Sequence, residues 1–289
     1  WLDGLGAWSP VRAAGAHPYR RMHVVDSTGG DALVFDADVL GRPELGWIVE
    51  QGALLDALWR GMGAAGVDVV RGVAVDALEQ APDAAMLGLD DGTRLRARLV
   101  VAADGAASVV RRLAGIGADG HGHGQRAIVC YVEGTRSHED TAWQRFLPGG
   151  PLALLPFADG NCSIVWSLPD AEAARVLSLD DEAFGRELTR ASDNRLGSLR
   201  PVSARAAFPL RRQLADACLR GRVLVLGDAA HVVHPLAGQG VNLGLRDVAA
   251  LRELVEGARR RGSDWGAQSR LARWARTRRS ENALAAHAF

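Results

Sequence analysis

The sequence predicts an α/β fold in which a layered α/β domain is interrupted by an antiparallel sheet and then resumed. Three observations predict it. Two short, wholly apolar runs, Leu99–Ala103 and Val223–Leu226, read as strands buried on both faces, as in a parallel sheet. Between them, residues 116–209 carry alternating apolar and polar stretches, the period-two pattern of antiparallel strands. From Gly221 a strand, a Gly-rich turn and a helix follow in succession.

The elements follow in order. Trp1 to Trp8 reads as helix. Met22–Asp26 and Ala32–Asp36 read as strands about the turn cluster Ser27-Thr28-Gly29-Gly30, within the stretch from Pro18 to Asp38. Trp47–Glu50 is a short apolar run. Leu54, Leu55, Leu58, Trp59 and Met62 then fall at helical spacing, and Gly63 and Gly66 end that helix. Val67–Val75 is expected as a strand. Ala85–Leu89 and Thr93–Ala97 flank Asp90-Asp91-Gly92 as a hairpin. His121–Gly124 is loop. Strands are expected around Ala127–Val132, Ala142–Phe146 and Cys162–Trp166, with Pro148-Gly149-Gly150-Pro151 as a connection. Asp180–Asp193 is an amphipathic helix. A further helix runs from about Gly240 to Glu256, and the Arg-rich stretch Arg259–Arg279 reads as a solvated helix face.

Composition narrows the function classes. The chain has 289 residues, 48% hydrophobic and 24% charged, with zero formal net charge. That balance belongs to a soluble globular protein and excludes wholesale disorder, a collagen-like fibre or a disulfide-rich mini-protein. No apolar run reaches the ~18–20 residues of a membrane span. Neutral charge gives no reason to expect nucleic acid. Three widely spaced cysteines, Cys130, Cys162 and Cys218, contain no CxxC pair, so neither a disulfide framework nor a zinc site is expected and a reducing cytoplasm is the default. The chain opens on Trp1, without a charged leader and apolar core. The expectation is a chain without a signal peptide whose upstream part is absent.

The chemistry-bearing residues sit at the ends of the two buried strands. Val223–Leu226 runs into Gly227-Asp228-Ala229-Ala230-His231, and then His234-Pro235-Leu236-Ala237-Gly238-Gln239-Gly240-Val241-Asn242-Leu243-Gly244-Leu245-Arg246-Asp247. A carboxylate at a strand's carboxyl end lies where open α/β sheets bind ligands. It can accept hydrogen bonds from sugar-like hydroxyls. Gly238 and Gly240 permit close backbone approach, and the helix beginning near Gly240 offers free N–H groups to an anion. The plainer reading of Asp228 is a helix cap or strand-end turn. Leu99–Ala103 likewise ends in Asp104-Gly105-Ala106-Ala107-Ser108-Val109-Val110-Arg111, for which a plain strand-to-helix turn is equally open. His231 and His234, and His121 and His123, lack the Cys or carboxylate partners of a recognisable zinc set, so no metal ligand is expected. Ser108 lacks a G-x-S-x-G elbow, and no catalytic nucleophile is expected.

Together these residues resemble the FAD-dependent aromatic-ring monooxygenases of the p-hydroxybenzoate hydroxylase fold. Gly227–His231 is similar to their Gly-Asp motif, and Asp104–Arg111 to their Asp-Gly motif. The run His234–Gly244, the segment Pro18–Asp26, Ile48-Val49-Glu50 and Ser163–Ser167 resemble the ubiquinone-biosynthesis hydroxylase branch. The resemblance implies an α/β, Rossmann-like FAD-binding domain carrying an inserted antiparallel substrate sheet. The domain is incomplete, because no opening strand with a GxGxxG turn is found. The implied division is 1–47, part of the FAD domain and the first substrate strands; 48–115, FAD-binding; 116–209, substrate-binding; and 210–289, the flavin-facing part.

The resemblance also implies roles. Asp228, after Gly227, would bind the ribityl chain of FAD. Pro235 and the turn through Gly238, Gln239 and Gly240 would lie along the isoalloxazine, with the backbone of Val241 and Asn242 on its pyrimidine edge. Gln51 would lie near the phosphate and ribityl region, Asp104 near both FAD and NAD(P)H, and Arg111 would support the latter. The implied reaction is hydroxylation of an aromatic ring, a polyprenyl phenol of ubiquinone biosynthesis, through NAD(P)H-reduced FAD, O2 and a flavin C4a-hydroperoxide. The implied partners are that aromatic substrate, O2, other ubiquinone-biosynthesis proteins and a second copy of the chain, but no nucleic acid. The implied location is the cytoplasm, extending to the periphery of the inner membrane. The competing reading is an FAD-free relative that serves as a binding or scaffold subunit.

Overall fold

The structure, a computed structural model, describes residues 1–233 and 239–287. By compactness the chain forms two units, residues 1–68 with 124–209, and residues 69–123 with 210–289. This groups 48–68 with the sheet residues rather than with 69–115.

The first unit is built on a twisted sheet. Its strands lie in the order Ala118–Gly134, Cys162–Pro169, Gly150–Pro156, Thr141–Leu147, Arg21–Asp26 and Leu33–Asp36. Neighbours are antiparallel except Thr141–Leu147 and Arg21–Asp26, which run parallel. The alternation seen in the sequence fixes the register. Ile164 stands opposite Cys130 and Leu154, Trp166 opposite Ile128 and Leu152, and all are buried. The helices Asp170–Leu177 and Asp181–Ala191 close this core with Val176, Phe184 and Leu188, each fully buried. The second of these starts where the Asp180 carboxylate accepts the Ala183 amide at 2.7 Å, and Asp181 and Glu182 load its first turn with negative charge.

A smaller core in the same unit joins Val11 of the helix Trp8–Ala13 to Ala57 of the helix Gln51–Ala64. The opening helix begins later than expected. Asp3–Leu5 is a separate 3-10 turn ended by Gly6 at φ +69°. The strand Gly150–Pro156 and the helix Asp170–Leu177 were not foreseen, the former because the Pro-Gly cluster at 148–151 reads as a connection, and His121–Gly124, expected as loop, lies within the strand Ala118–Gly134. Pro169 precedes the helix Asp170–Leu177, where its missing N–H costs nothing.

The second unit carries the expected parallel pair, Val100–Ala102 beside Val223–Val225, with Leu219–Arg220 on the far edge. Val223, Leu224 and Val225 are fully buried among Val110, Ala114, Leu271 and Trp274. The hairpin Ala85–Leu89 with Arg94–Ala97 forms as expected and gains Val75–Gln80 as a third strand. Val67–Val75 is not a strand before Val75. Val67, Val69 and Val70 are exposed, and β-branched residues without a partner strand form no ladder.

The helix Gln239–Arg260 outruns its expected end, finishing on Arg259 and Arg260, cations that suit its carbonyl end. The last helix, Gln268–His287, corrects the reading of a solvated arginine face. Leu271 is fully buried, and Arg278 is 5% exposed. The three cysteines are free and buried, and burial pushes their thiols up, to about 11 for Cys130 and Cys218 and about 12 for Cys162. Among the described residues no helix is long and apolar enough to cross a membrane.

Candidate active site

The site grows from the strand Val223–Val225. Buried on all sides, it delivers the chain to Gly227, whose φ of +57° turns the backbone into the 3-10 turn Gly227–Ala229. An L side chain rarely adopts that φ, so glycine is required there. The turn packs against the helix Gln239–Arg260. A methyl group built on Gly244 would lie 3.4 Å from the Gly227 Cα, in van der Waals contact with the turn. Asp228 is exposed at the crest of this turn and has no hydrogen-bond or ion-pair partner among the described residues.

Two buried side chains hold the turn from either end. The Gly227 amide donates to Asp247 Oδ2 at 3.0 Å. The Ala229 carbonyl accepts from Arg111 Nη1 at 2.6 Å. Asp247 is fully buried, and its carboxylate is satisfied on both oxygens. His231 Nε2 lies 2.6 Å from Oδ2; Arg278 Nε and Asn282 Nδ2 donate to Oδ1 at 2.7 and 3.2 Å. Burial alone would raise this carboxyl. The hydrogen bond and charge of His231, the Arg278 guanidinium and the Gly227 amide outweigh it and hold the group below the ordinary aspartate value. His231 Nδ1, also buried, has no partner among the described residues. Leaving such an atom unmatched costs about 1–3 kcal/mol.

The Asp104 turn is tied to the same place. Asp104 Oδ2 accepts the Val109 and Val110 amides at 2.8 and 3.1 Å, and Oδ1 accepts the Ser108 hydroxyl. Ser108 in turn caps Val109–Leu113 by accepting the Arg111 amide at 2.9 Å. Burial works against the Asp104 carboxylate, but these donors prevail and hold its pKa down. Arg111 Nη2 donates to the Ala106 carbonyl at 3.1 Å while Nη1 reaches Ala229, so one guanidinium staples the two motifs together. Arg111 is 6% exposed, and its visible work is this staple.

Gly240, Val241 and Asn242 form the first turn of the helix Gln239–Arg260, with Val241 and Asn242 exposed. Gln239 opens that helix, and its side chain lies outside the described residues, as do Pro235 and Gly238. Gln51 belongs to the other unit, exposed at the first position of its helix. The structure thus brings Gly227, Asp228, the Asp104 turn and the start of the 239–260 helix into one unit. Asp247 closes the sequence motif, but its part in holding the turn was missed, as were Arg278 and Asn282. An acidic residue on the apolar face of a helix, opposite a late Arg and Asn one turn apart, was the available signal.

One cluster of metal-type side chains occurs among the described residues, in the sheet unit: His17, His138 and Asp140, with ligand atoms within 4.8 Å of one another. Both ring nitrogens of His138 are engaged. Nε2 lies 3.0 Å from the Phe157 carbonyl, and Nδ1 accepts the Asp140 amide at 3.1 Å.

Comparison with known proteins identifies the family. The profile of the FAD binding domain family matches residues 1–280. The chain is 38% identical over 282 residues to the 3-demethoxyubiquinol 3-hydroxylase of Escherichia coli strain K12, covering 97% of this chain and 72% of that one. It is 39% identical over 284 residues to the ubiquinone hydroxylase UbiL of Rhodospirillum rubrum, covering 98% of this chain and 66% of that one. Among solved structures, Pseudomonas aeruginosa PqsL in complex with 2-aminobenzoylacetate superposes with a TM-score of 0.81 at 24% identity, covering 99% of this chain and 80% of that chain. At that identity the likeness speaks for the fold. The α/β class with its large multistranded sheet is the fold of these flavoproteins, and the chain belongs to the FAD-dependent monooxygenases of the FAD binding domain family.

Proposed function

We propose that this protein hydroxylates an aromatic ring, that of a polyprenylated phenol in ubiquinone biosynthesis, using FAD, NAD(P)H and O2. The observation that carries the reading is the Gly227–Ala229 turn, which presents the exposed carboxylate of Asp228, without a partner among the described residues, from a backbone held at both ends. The residues fit the cofactor. A left-handed glycine at 227 and the packing of the turn on the helix Gln239–Arg260 set an exposed carboxylate where a polar ligand could pair with it. Asp228 would accept hydroxyl hydrogen bonds from the ribityl chain. The first-turn amides of Val241 and Asn242 would face the flavin's pyrimidine edge, where a helix N-terminus favours developing negative charge. Bound there, FAD supplies O2 activation at the expense of NAD(P)H.

The protein's own share is to hold the cofactor, orient the ring and exclude water. In this reading 48–115 and 210–289 serve the flavin, and 116–209 the substrate. Gln51 and Asp104 would contribute at the phosphate side, Asp104 chiefly by shaping its turn. The two hydroxylase relatives, named for ubiquinone chemistry, support the substrate class. With such a substrate the protein would work in the cytoplasm, extending to the periphery of the inner membrane.

The test is direct. Purified protein given FAD is expected to show the resolved absorbance bands of bound flavin, and to oxidise NAD(P)H faster when a polyprenylated phenol is added. Asp228→Ala is expected to weaken FAD at least about tenfold, roughly 1.4 kcal/mol. A wild-type chain that takes up no flavin would overturn the enzymatic reading and leave that of a binding subunit.

A further inference from the structure

We infer that Asp247 is the positioning residue of the Gly227–Asp228 turn, and that through it the last helix sets the aim of the Asp228 carboxylate. The inference rests on the reading of Asp228 as a cofactor ligand, but its geometry stands apart from that reading. Asp247 lies 20 residues from Gly227, on a different element, and still reaches its amide at 3.0 Å. Its carboxylate has no exposure, and neither does its role end at the turn. Oδ1 takes Arg278 at 2.7 Å and Asn282 at 3.2 Å, both from Gln268–His287. Asn282 is itself held, accepting Arg278 Nη2 at 3.2 Å. Oδ2 is shared by the Gly227 amide and His231 Nε2.

This is a cross-braced arrangement. Oδ1 faces the last helix and Oδ2 faces the turn, so a displacement of one is felt by the other through a single rigid carboxylate. A buried ion pair stabilises a fold weakly when an apolar replacement would serve as well, and it is better at fixing one geometry. Here the geometry fixed is a glycine amide directly before an exposed aspartate. Asp247 touches neither solvent nor the face on which Asp228 stands exposed, so it acts through Gly227. Arg278 and Asn282 act one step further back.

Two measurements on the whole chain test this. The first needs no cofactor: hydrogen–deuterium exchange across 224–231 in wild type, Asp247→Asn and Arg278→Gln. Asp247→Asn leaves one acceptor oxygen where two are used, so either Arg278 and Asn282 or the Gly227 amide must face an NH2 donor. Exchange in that segment is expected to rise at least tenfold, with 99–103 unchanged. Arg278→Gln leaves Asp247 in place and guards against a variant that fails to fold. It is expected to raise exchange in the same segment by a smaller factor. Unchanged exchange at 224–231 in either folded variant overturns the proposal.

The second is a double-mutant cycle on FAD affinity, followed by flavin fluorescence. Asp247→Asn and Asp228→Ala are each expected to weaken FAD about tenfold, and the double variant little more than either. Additive losses would make Asp247 a general structural residue and overturn the proposal. If Asp228→Ala alone leaves FAD affinity intact while exchange at 224–231 still rises in Asp247→Asn, the cofactor reading of Asp228 fails and the positioning role of Asp247 stands.

Discussion

The two units solve the burial of polar groups differently. In the sheet unit most ion pairs stay at the surface, as with Arg175 to Glu172 and Glu187, Arg186 to Glu182 and Arg200 to Glu133; Arg205 and His17 are the more buried members of theirs. Its buried polar side chains are neutral ones such as Thr141, Gln144, Ser167 and Ser192, together with His138. In the other unit Arg111, Asp247 and Arg278 are all buried, and each bonds a backbone group or charged partner beside a motif turn, Arg111 through its two terminal nitrogens. The sheet unit is held by stacked apolar faces. The motif unit carries full charges inside, at a desolvation cost, where one exposed carboxylate must be aimed. Charge burial therefore marks the site more sharply than any pocket.

The sharpest way to break this contrast is Asp247→Ala. It strands Arg278 in the interior and is expected to destabilise by about 3–5 kcal/mol in urea denaturation. Its pH dependence is diagnostic. Asp247 has a folded pKa below its unfolded value, so its contribution is fully present above the ordinary aspartate value of 3.8 and is lost as pH falls below it through the folded value. Acid unfolding of the Asp247→Asn variant is expected to show a shallower slope below that value than wild type.

Next comes the sheet unit's counterpart. Leu188→Ala opens a cavity beneath Phe184 and is expected to cost about 3 kcal/mol, with no change in the acid slope. A matching pH signature in both variants would erase the distinction between the units. Ser108→Ala removes a cap and a donor to Asp104, and about 1 kcal/mol is expected from a thermal melt. Smallest of all, Arg252→Ala breaks an exposed pair with Glu256 and is expected to leave the melting temperature within error of wild type.

Much of this was legible in advance. The apolar runs at 99–103 and 223–226 announced a buried parallel pair; the pair forms in register, Val223 opposite Val100, but only 223–226 is buried throughout, and Val101 is 42% exposed. Asp228 stood out because glycines crowd the sequence around it. What stayed hidden has one physical cause: local pattern carries no record of a partner far along the chain. Arg278 looked like one more arginine on a wet helix because the carboxylate that draws it inward is 31 residues away. Val67–Val70 misled in the opposite sense, with strand-forming side chains but no neighbouring strand to pair. Asp104 was legible as a motif but ambiguous in role, since one carboxylate can cap a helix as readily as bind a ligand, and here it caps.

The brace on Asp247 also sets an order of events during synthesis. Gly227 and Asp228 leave the ribosome well before Arg278 and Asn282, the groups that complete the anchor behind them. The parallel strand pair can close early, since both its strands are made by then. The turn on its end acquires its final support only when the last helix has emerged and docked. A nascent chain stalled before that helix would own every residue of the Gly-Asp motif and still lack the shape that makes the motif useful.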